Sequence, residues 1–267
     1  MTVPGRLTAR PGAALLLVLW LIVILGFIGA GVVDAARTSS RLAQNVRASA
    51  VARYAAESGI AATVSEIQRA LEASPDSLAR RDWLNRLPLE PRDSIALGTG
   101  RVAIVISDPS TRLDVNAAPA PNLATLLARF TDIGRANETA QVIRAWIERD
   151  PAIAGEGRMQ AFGDQPLRFV TPVRSLDELR DLGGVDVAAL QRAAPYLTID
   201  GDGTVNRRAA SDTVLAAAFG ERRDEPSRLL FIARGWESGH PLTHEIQAAY
   251  ALSGNTLVLV HWRERDL

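Results

Sequence analysis

Acidic residues follow Trp146, and carboxylates are side chains that can bind a hard cation such as calcium. The stretch Trp146-Ile-Glu-Arg-Asp places Glu148 and Asp150 close together, and Glu156 and Asp164 follow. Calcium takes roughly six to eight oxygen ligands, so these four carboxylates would need backbone carbonyls and water to complete a site. A solvated acidic loop explains the same residues, and both interpretations stay open.

Other patterns associated with metals or catalysis are incomplete. Asp200-Gly-Asp202-Gly has the spacing of a calcium-loop fragment but no distal bidentate Glu, which favours a turn. His240 and His244 lie on a predicted loop and strand and have no third ligand, which argues against zinc. The sequence contains no cysteine, no G-x-S-x-G, no Walker loop and no G-x-G-x-x-G. We therefore predict that the protein is not an enzyme.

One uncharged stretch, from Pro11 to Val33, organises the rest of the chain. As a helix it would be roughly 35 Å long, which is enough to cross a hydrocarbon core of about 30 Å. Arg6 and Arg10 precede it without any acidic residue, so the positive-inside rule predicts a cytoplasmic N-terminus and a single pass. A cleaved secretory signal, with a site near Ala30 and Gly31, is the alternative.

The helix is predicted to continue as a stalk over residues 34–74, because no Pro occurs before Pro75. Apolar residues at helical spacing are expected to form one stripe that packs on a sheet: Leu42, Val46, Ile60, Val64, Ile67 and Leu71. Residues 75–107 are predicted to be a linker and a first strand at 101–107. Further strands are predicted within 227–267.

The segment 108–226 is predicted to be helical. Its expected helices are Pro119 to Phe130, Glu138 to Arg149, one opened by a capping box at Ser175 and Glu178, and Asp186 to Arg192. This segment also contains an internal repeat. Leu113-Asp-Val-Asn-Ala-Ala-Pro119 aligns without a gap, at an offset of 92, with Val205-Asn-Arg-Arg-Ala-Ala-Ser211. In each copy a helix should follow, with Leu123 or Leu215 facing the core.

A short basic leader that ends in Gly12, directly before a long apolar helix, resembles the processing site of type IV pilin-like proteins. The resemblance implies a leader at 1–12, cleavage by prepilin peptidase between Gly12 and Ala13, methylation of Ala13 and a transmembrane helix at 13–33. Pilin-like subunits usually carry Glu at the fifth mature position, where this chain has Leu17. That substitution resembles the K-type minor pseudopilins of type II secretion systems (general secretion pathway protein K).

The resemblance to that family extends along the chain. The family carries segments of the form N-x-N-T-A-x-x-x-x-L, at which Asp114 and Asn116 occupy the first pair of Asn positions and Asn206 the first position of the second pair. Arg208 replaces the remaining Asn. The stretch SLDELRDLGGV, residues 175–185, resembles one that the family carries between the two segments. The implied fold is α+β: a pilin-like N-terminal transmembrane and stalk helix, a small antiparallel β-sheet and a large inserted all-α domain.

The implied function is structural. K-type pseudopilins stand at the tip of the pseudopilus and take part in the export of folded proteins across the outer membrane. The resemblance implies anchorage in the inner membrane with the bulk of the chain periplasmic. The implied partners are the I- and J-type minor pseudopilins, the pseudopilus and prepilin peptidase. Some members bind calcium in the inserted domain.

Two alternatives share part of these features. The DELRDLGGV stretch also resembles the helix-hairpin-helix of membrane-tethered DNA receptors, but it lacks their G-x-G hairpin. Its carboxylates, at Asp177, Glu178, Asp181 and Asp186, would repel phosphate. The formal net charge of zero gives no electrostatic footprint for nucleic acid either. A minor type IV pilin would share the leader and the anchor, but the length of the insertion favours the secretion-system member.

Overall fold

The structure is a computed structural model that describes residues 11–74, 77–90, 92–149, 158–160, 168–170 and 172–267. The α-helices are α1 (Pro11–Ala73), α2 (Ser77–Arg86), α3 (Ala120–Leu127), α4 (Ile133–Ile147), α5 (Val187–Ala193) and α6 (Asp212–Ala217). The strands are β1 (Arg92–Leu97), β2 (Gly100–Ser107), β3 (Leu113–Asp114), β4 (Arg158–Gln160), β5 (Arg168–Val170), β6 (Leu197–Thr198), β7 (Val205–Asn206), β8 (Arg222–Arg223), β9 (Arg228–Glu237), β10 (Thr243–Ser253) and β11 (Thr256–Asp266). This combination confirms the predicted α+β class.

The first helix continues unbroken from the apolar stretch into the stalk. Its distal half packs on the sheet through Ile60, Ile67 and Leu71, which are at most 1% exposed. Leu42 and Val46, which we expected on the same stripe, are each 63% exposed. They precede Ala48, the first buried residue of α1, so the helix has not yet reached the sheet at their level.

Five antiparallel strands form the sheet in the order β1-β2-β9-β10-β11. Alternation along β2 turns Val102, Ile104 and Ile106 towards α1 and leaves Val105 exposed on the opposite face. The helix lies directly against β9 at Gly235, where a Cβ would clash with the carbonyl oxygen of Ala52. Glycine at this position therefore sets the distance between helix and sheet.

The segment between Ser107 and Arg228 is inserted between two adjacent strands, because β2 pairs directly with β9. Position 100, where β2 begins, lies beside Ala55 of α1, whereas Ile104 has advanced to the level of Gly59. Strand β2 thus runs in the same direction as α1, away from the apolar N-terminal segment. The insertion consequently leaves the sheet at the end farthest from that segment.

The insertion has its own hydrophobic core, which includes Leu123, Leu127, Ile143 and Leu190. It is not purely helical as predicted, since β3 pairs with β6, β4 with β5 and β7 with β8. Strands of two or three residues are too short to show an alternating pattern in a sequence. The segment after Ser175 is a 3-10 helix, Leu176–Asp181, in which Glu178 accepts a hydrogen bond from the backbone of Arg174.

Residues 75–107 contain more structure than the predicted linker and single strand. Helix α2 lies over the core of the sheet with Leu84 fully buried, and β1 precedes the predicted strand as the edge of the sheet. Strand β1 has one irregularity in its register and only one strongly β-favouring residue, Ile95. Its polar sequence explains why strand propensity did not reveal it.

Candidate functional site

The candidate processing site lies at the start of α1. Gly12 and Ala13 fall in the first turn of the helix, and Leu17 follows with 71% of its surface exposed. Among the described residues, α1 is the one helix long and apolar enough to cross a membrane. None of its most apolar window is buried against the rest of the chain. Burial within the protein therefore does not account for this apolar surface.

The predicted motif residues Asp114 and Asn116 tie three segments of the insertion together. The Asp114 carboxylate accepts a hydrogen bond from the backbone N–H of Asn116 at 3.0 Å. The Asn116 amide donates to the carbonyl oxygens of Val173 and Ile199 and accepts from the Val173 N–H at 2.7 Å. These bonds hold the backbone next to β6, so the two residues have a structural task.

Asn206, the third motif residue, also joins separate segments, at the second copy of the repeat. It is fully buried, and its amide donates to Asn85 Oδ1 at 2.7 Å and to Asp108 Oδ2 at 2.8 Å. These bonds join the insertion to α2 and to the end of β2. Burial raises the pKa of Asp108, although hydrogen bonds from Ser110 and Asn206 act in the opposite direction.

The two copies of the repeat have the same local backbone. In the first copy the Asp114 side chain accepts the backbone N–H of Asn116 at 3.0 Å. In the second copy the Asn206 side chain accepts the backbone N–H of Arg208 at 3.2 Å. The carbonyl oxygens of Asp114 and Asn206 each accept an N–H from four residues on, both at 2.8 Å. In the second copy, however, Leu215, which we expected to face the core, is only half-buried, and its neighbour Val214 is buried instead.

The loop after β6 binds arginine where a calcium loop would bind a cation. Arg228 donates to the carbonyl oxygens of Asp200 and Gly201, and Arg263 donates to the Asp200 carboxylate at 2.6 Å. Burial would raise the pKa of Asp200, but the bonds from His261 and Arg263 outweigh it and hold the pKa below its usual value. Arginine thus supplies the positive charge for this Asp-Gly-Asp turn.

Asp114 is the most strongly perturbed acid of this region. It is 5% exposed, and burial raises its pKa to about 6, which the backbone bond from Asn116 and the charge of Arg228 only partly offset. Position 201 lies so close that a Cβ there would stand 2.9 Å from Asp114 Cβ. The close packing explains why water does not solvate the carboxylate.

Of the four residues predicted as calcium ligands, only Glu148 lies within the described residues; Asp150, Glu156 and Asp164 lie outside them. Glu148 accepts a hydrogen bond from Arg144 at 2.7 Å. No group of three or more His, Asp or Glu side chains in the described ranges could hold a metal ion. Glu148 is thus committed to an ion pair, and calcium binding by the full set stays a prediction.

The predicted hairpin Leu182 to Val185 does not offer an anion site. Asp186 caps α5 and accepts the N–H of Ala189 at 3.0 Å. This bond, together with one from Thr131, lowers the pKa of Asp186. A carboxylate therefore already accepts the N–H of Ala189 at the start of α5, where its charge would repel a DNA phosphate.

Two polar clusters on the sheet were not predicted from the sequence: one around Glu245, and one around His244, which was considered only as a zinc ligand. Glu245 of β10 is fully buried between Arg234 and Arg265 of the neighbouring strands. On the other face of the sheet, the His244 ring nitrogens lie 2.6 Å from Asp266 and 3.2 Å from Glu264. The signal available in the sequence was His244 followed directly by Glu245, the one acidic residue of β10.

Comparison with solved structures shows the fold. A chain in the crystal structure of the GspK–GspI–GspJ complex from the enterotoxigenic Escherichia coli type 2 secretion system is similar with a TM-score of 0.59. The match covers 86% of this chain and 99% of that chain, at 12% sequence identity. No protein-family model matches this sequence. No curated protein matches it either.

Proposed function

We propose that this protein is a K-type minor pseudopilin of a type II secretion system. The likeness of its fold to a chain of the GspK–GspI–GspJ complex carries the proposal, because it extends over nearly the whole of that chain. The domain boundaries that we propose are the leader at 1–12, the membrane span at 13–33, the stalk at 34–74, the linker region at 75–107, the insertion at 108–226 and the closing strands at 227–267.

In this proposal the span 13–33 anchors the chain in the inner membrane, with the N-terminus cytoplasmic and the bulk of the chain periplasmic. Prepilin peptidase cuts after Gly12, and Ala13 becomes the methylated N-terminus. The exposed side of the stalk, which includes Val46 and Tyr54, is the surface that would contact the helices of I- and J-type pseudopilins. Both residues are large and more than half exposed, so packing against another helix would remove apolar area from water.

The position of the insertion supports a role at the tip of the pseudopilus. It leaves the sheet at the end farthest from the anchor, so it would project upwards from the top of the subunit. A subunit stacked directly above would meet this bulk, whereas a subunit at the end of the filament would not. In pilin-like proteins, the resemblance implies, the Glu at this position meets the N-terminal amine of a neighbouring subunit. Leu17 agrees with placement at the tip because it offers no such carboxylate.

Processing is the first test. The protein is extracted from membranes of cells with and without prepilin peptidase, and its intact mass and N-terminal sequence are determined. The proposal expects a chain that starts at methylated Ala13 only when the peptidase is present. Cleavage near Gly31, or no cleavage, would contradict it.

The substitution Leu17→Glu tests placement within the filament. The variant should supply the missing carboxylate and be found more often in the shaft, with loss of tip complexes and of secretion. Leu16→Glu is the matched control, because it adds the same charge one position away. If Leu17→Glu forms tip complexes, supports secretion and enters the shaft just as the unmodified chain does, the proposed placement is wrong.

A further inference from the structure

The face of the sheet opposite α1 carries a row of charges across three strands. Glu245 of β10 pairs in register with Arg234 of β9 and with Arg265 of β11. The carboxylate accepts from Arg234 Nε at 2.7 Å and forms an ion pair with Arg265 at 2.6 Å. The Glu245 side chain is 0% exposed, whereas those of Arg234 and Arg265 are 57% and 59% exposed. Two guanidinium groups thus share one buried carboxylate and still face solvent.

A cleft of about 450 Å³ lies beside this row, between the sheet and the insertion. Arg112 and Arg174 line it from the insertion, and Arg263 and Arg265 line it from β11. Arg112 is exposed and takes part in no ion pair with the described residues. The cleft therefore combines a fixed row of charge on the sheet with an exposed arginine on the opposite wall that makes no ion pair with the described residues.

The carboxylates of the cleft are already used internally. Asp200 binds Arg263 at 2.6 Å, and Glu245 lies beneath Arg234 and Arg265. Glu264 also lines the cleft, but its carboxylate contacts Arg53 of α1 at 3.2 Å. The cleft is lined by four arginines and three carboxylates, an excess of one positive charge, although the chain as a whole has a formal net charge of zero.

We propose that this cleft binds an acidic segment of another protein, with two or more carboxylates and at least one apolar side chain. Carboxylates match the fork of arginine, which can donate two parallel hydrogen bonds. Leu176, Leu197 and Ile199 line the same cleft and provide apolar contact. The fixed carboxylates of Asp200 and Glu245 interrupt the positive surface, which disfavours the continuous phosphates of a nucleic acid. The inference does not depend on which secretion or pilus system the protein serves.

Binding is measured with the full chain in nonionic detergent and a fluorescent peptide in which Glu and Leu alternate. A peptide of alternating Gln and Leu is the uncharged control. We expect saturable binding of the Glu peptide only, weakened by added salt because the contacts are ionic. Arg112→Glu should weaken it about tenfold, since it replaces an attraction by a repulsion of similar size.

Arg129→Glu is the matched charge reversal, because Arg129 is also an exposed arginine of the insertion but does not line the cleft. It should leave the affinity unchanged within about twofold. Glu245→Gln should tighten binding, because the internal competitor for Arg234 and Arg265 loses its charge. A variant that is merely damaged would not bind more tightly.

Three results would overturn the proposal. The first is equal loss of affinity in Arg112→Glu and Arg129→Glu. The second is weaker peptide binding in a folded Glu245→Gln variant. The third is binding of inorganic polyphosphate or of phosphatidylglycerol vesicles, sensitive to Arg112→Glu, without binding of the acidic peptide.

Discussion

Asparagine at position 114 should stabilise the protein at neutral pH. The Asp114 carboxylate is buried, and its pKa is raised from 3.8 to about 6. This difference corresponds to about 3 kcal/mol at one pKa unit per 1.4 kcal/mol. Asparagine keeps the oxygen that accepts the Asn116 N–H but needs no charge to be buried. Arg228 would lose a nearby negative charge but keep its bonds to the carbonyl oxygens of Asp200 and Gly201.

The effect has a defined pH dependence. Because the folded-state pKa is higher than the unfolded one, the folded chain binds a proton more tightly, and the penalty exists only where Asp114 is ionised. The penalty is complete above about pH 6 and disappears below about pH 4. The gain in thermal midpoint of Asp114→Asn, followed by tryptophan fluorescence in detergent, should therefore be several degrees at about pH 7.5 and close to zero at about pH 4.

The second copy of the repeat provides a control in which the expected change in stability has the opposite sign. Asn206→Asp would place a new carboxylate where the amide now lies 2.8 Å from Asp108, which is itself a buried acid. We expect a loss of several kcal/mol at neutral pH, because two like charges would share one buried site. If Asp114→Asn gives no gain, or the same gain at both pH values, burial of the charge does not control stability here.

Three further outcomes are expected. Gly235→Ala should lower the free energy of unfolding by more than about 3 kcal/mol, since its Cβ would overlap backbone atoms of α1 rather than a movable side chain; chemical denaturation measures this. Ile67→Ala should cost about 2–5 kcal/mol in the same assay, because the side chain is fully buried, whereas Leu42→Ala, at an exposed site, should cost less than about 0.5 kcal/mol. Glu148→Gln should leave any calcium-dependent rise in thermal midpoint unchanged, because Arg144 already holds the carboxylate; loss of a calcium response in this variant would identify Glu148 as a ligand.

The sequence predicted the elements that have a strong period or a strong composition. The long helix and the strands β2, β9, β10 and β11 follow from apolar runs bounded by turn residues such as Gly239 and Gly254, both of which have positive φ. Strand β1 was missed because its sequence is polar, and the short strand pairs of the insertion were missed because two or three residues show no alternating pattern. Leu42 and Val46 were assigned to the core because a helical period does not show where the sheet begins.

The residues of the candidate site were likewise only partly predictable from the sequence. Asp114, Asn116 and Asn206 could be selected from a repeated pattern, but their partners Val173, Ile199 and Asn85 could not, because these bonds join segments far apart in the chain. The two arginines that bind Asp200, Arg228 and Arg263, and the row through Glu245 depend on strand register in the same manner. Ion pairs of this kind, in which the carboxylate is buried, cannot be predicted from a local sequence pattern.

The insertion is fixed to the sheet by buried polar contacts rather than by a flexible connection. Asn206 of the insertion donates to Asn85 of α2 and to Asp108, which directly follows β2. From the sheet, Arg228 and Arg263 donate to the turn at Asp200 and Gly201. Because rotation of the insertion away from the sheet would break these hydrogen bonds and ion pairs together, it would be costly. In the proposed function, such a subunit would not fold its insertion aside to admit another subunit above it. The rigidity of this junction thus supports the proposed placement at an end of the filament.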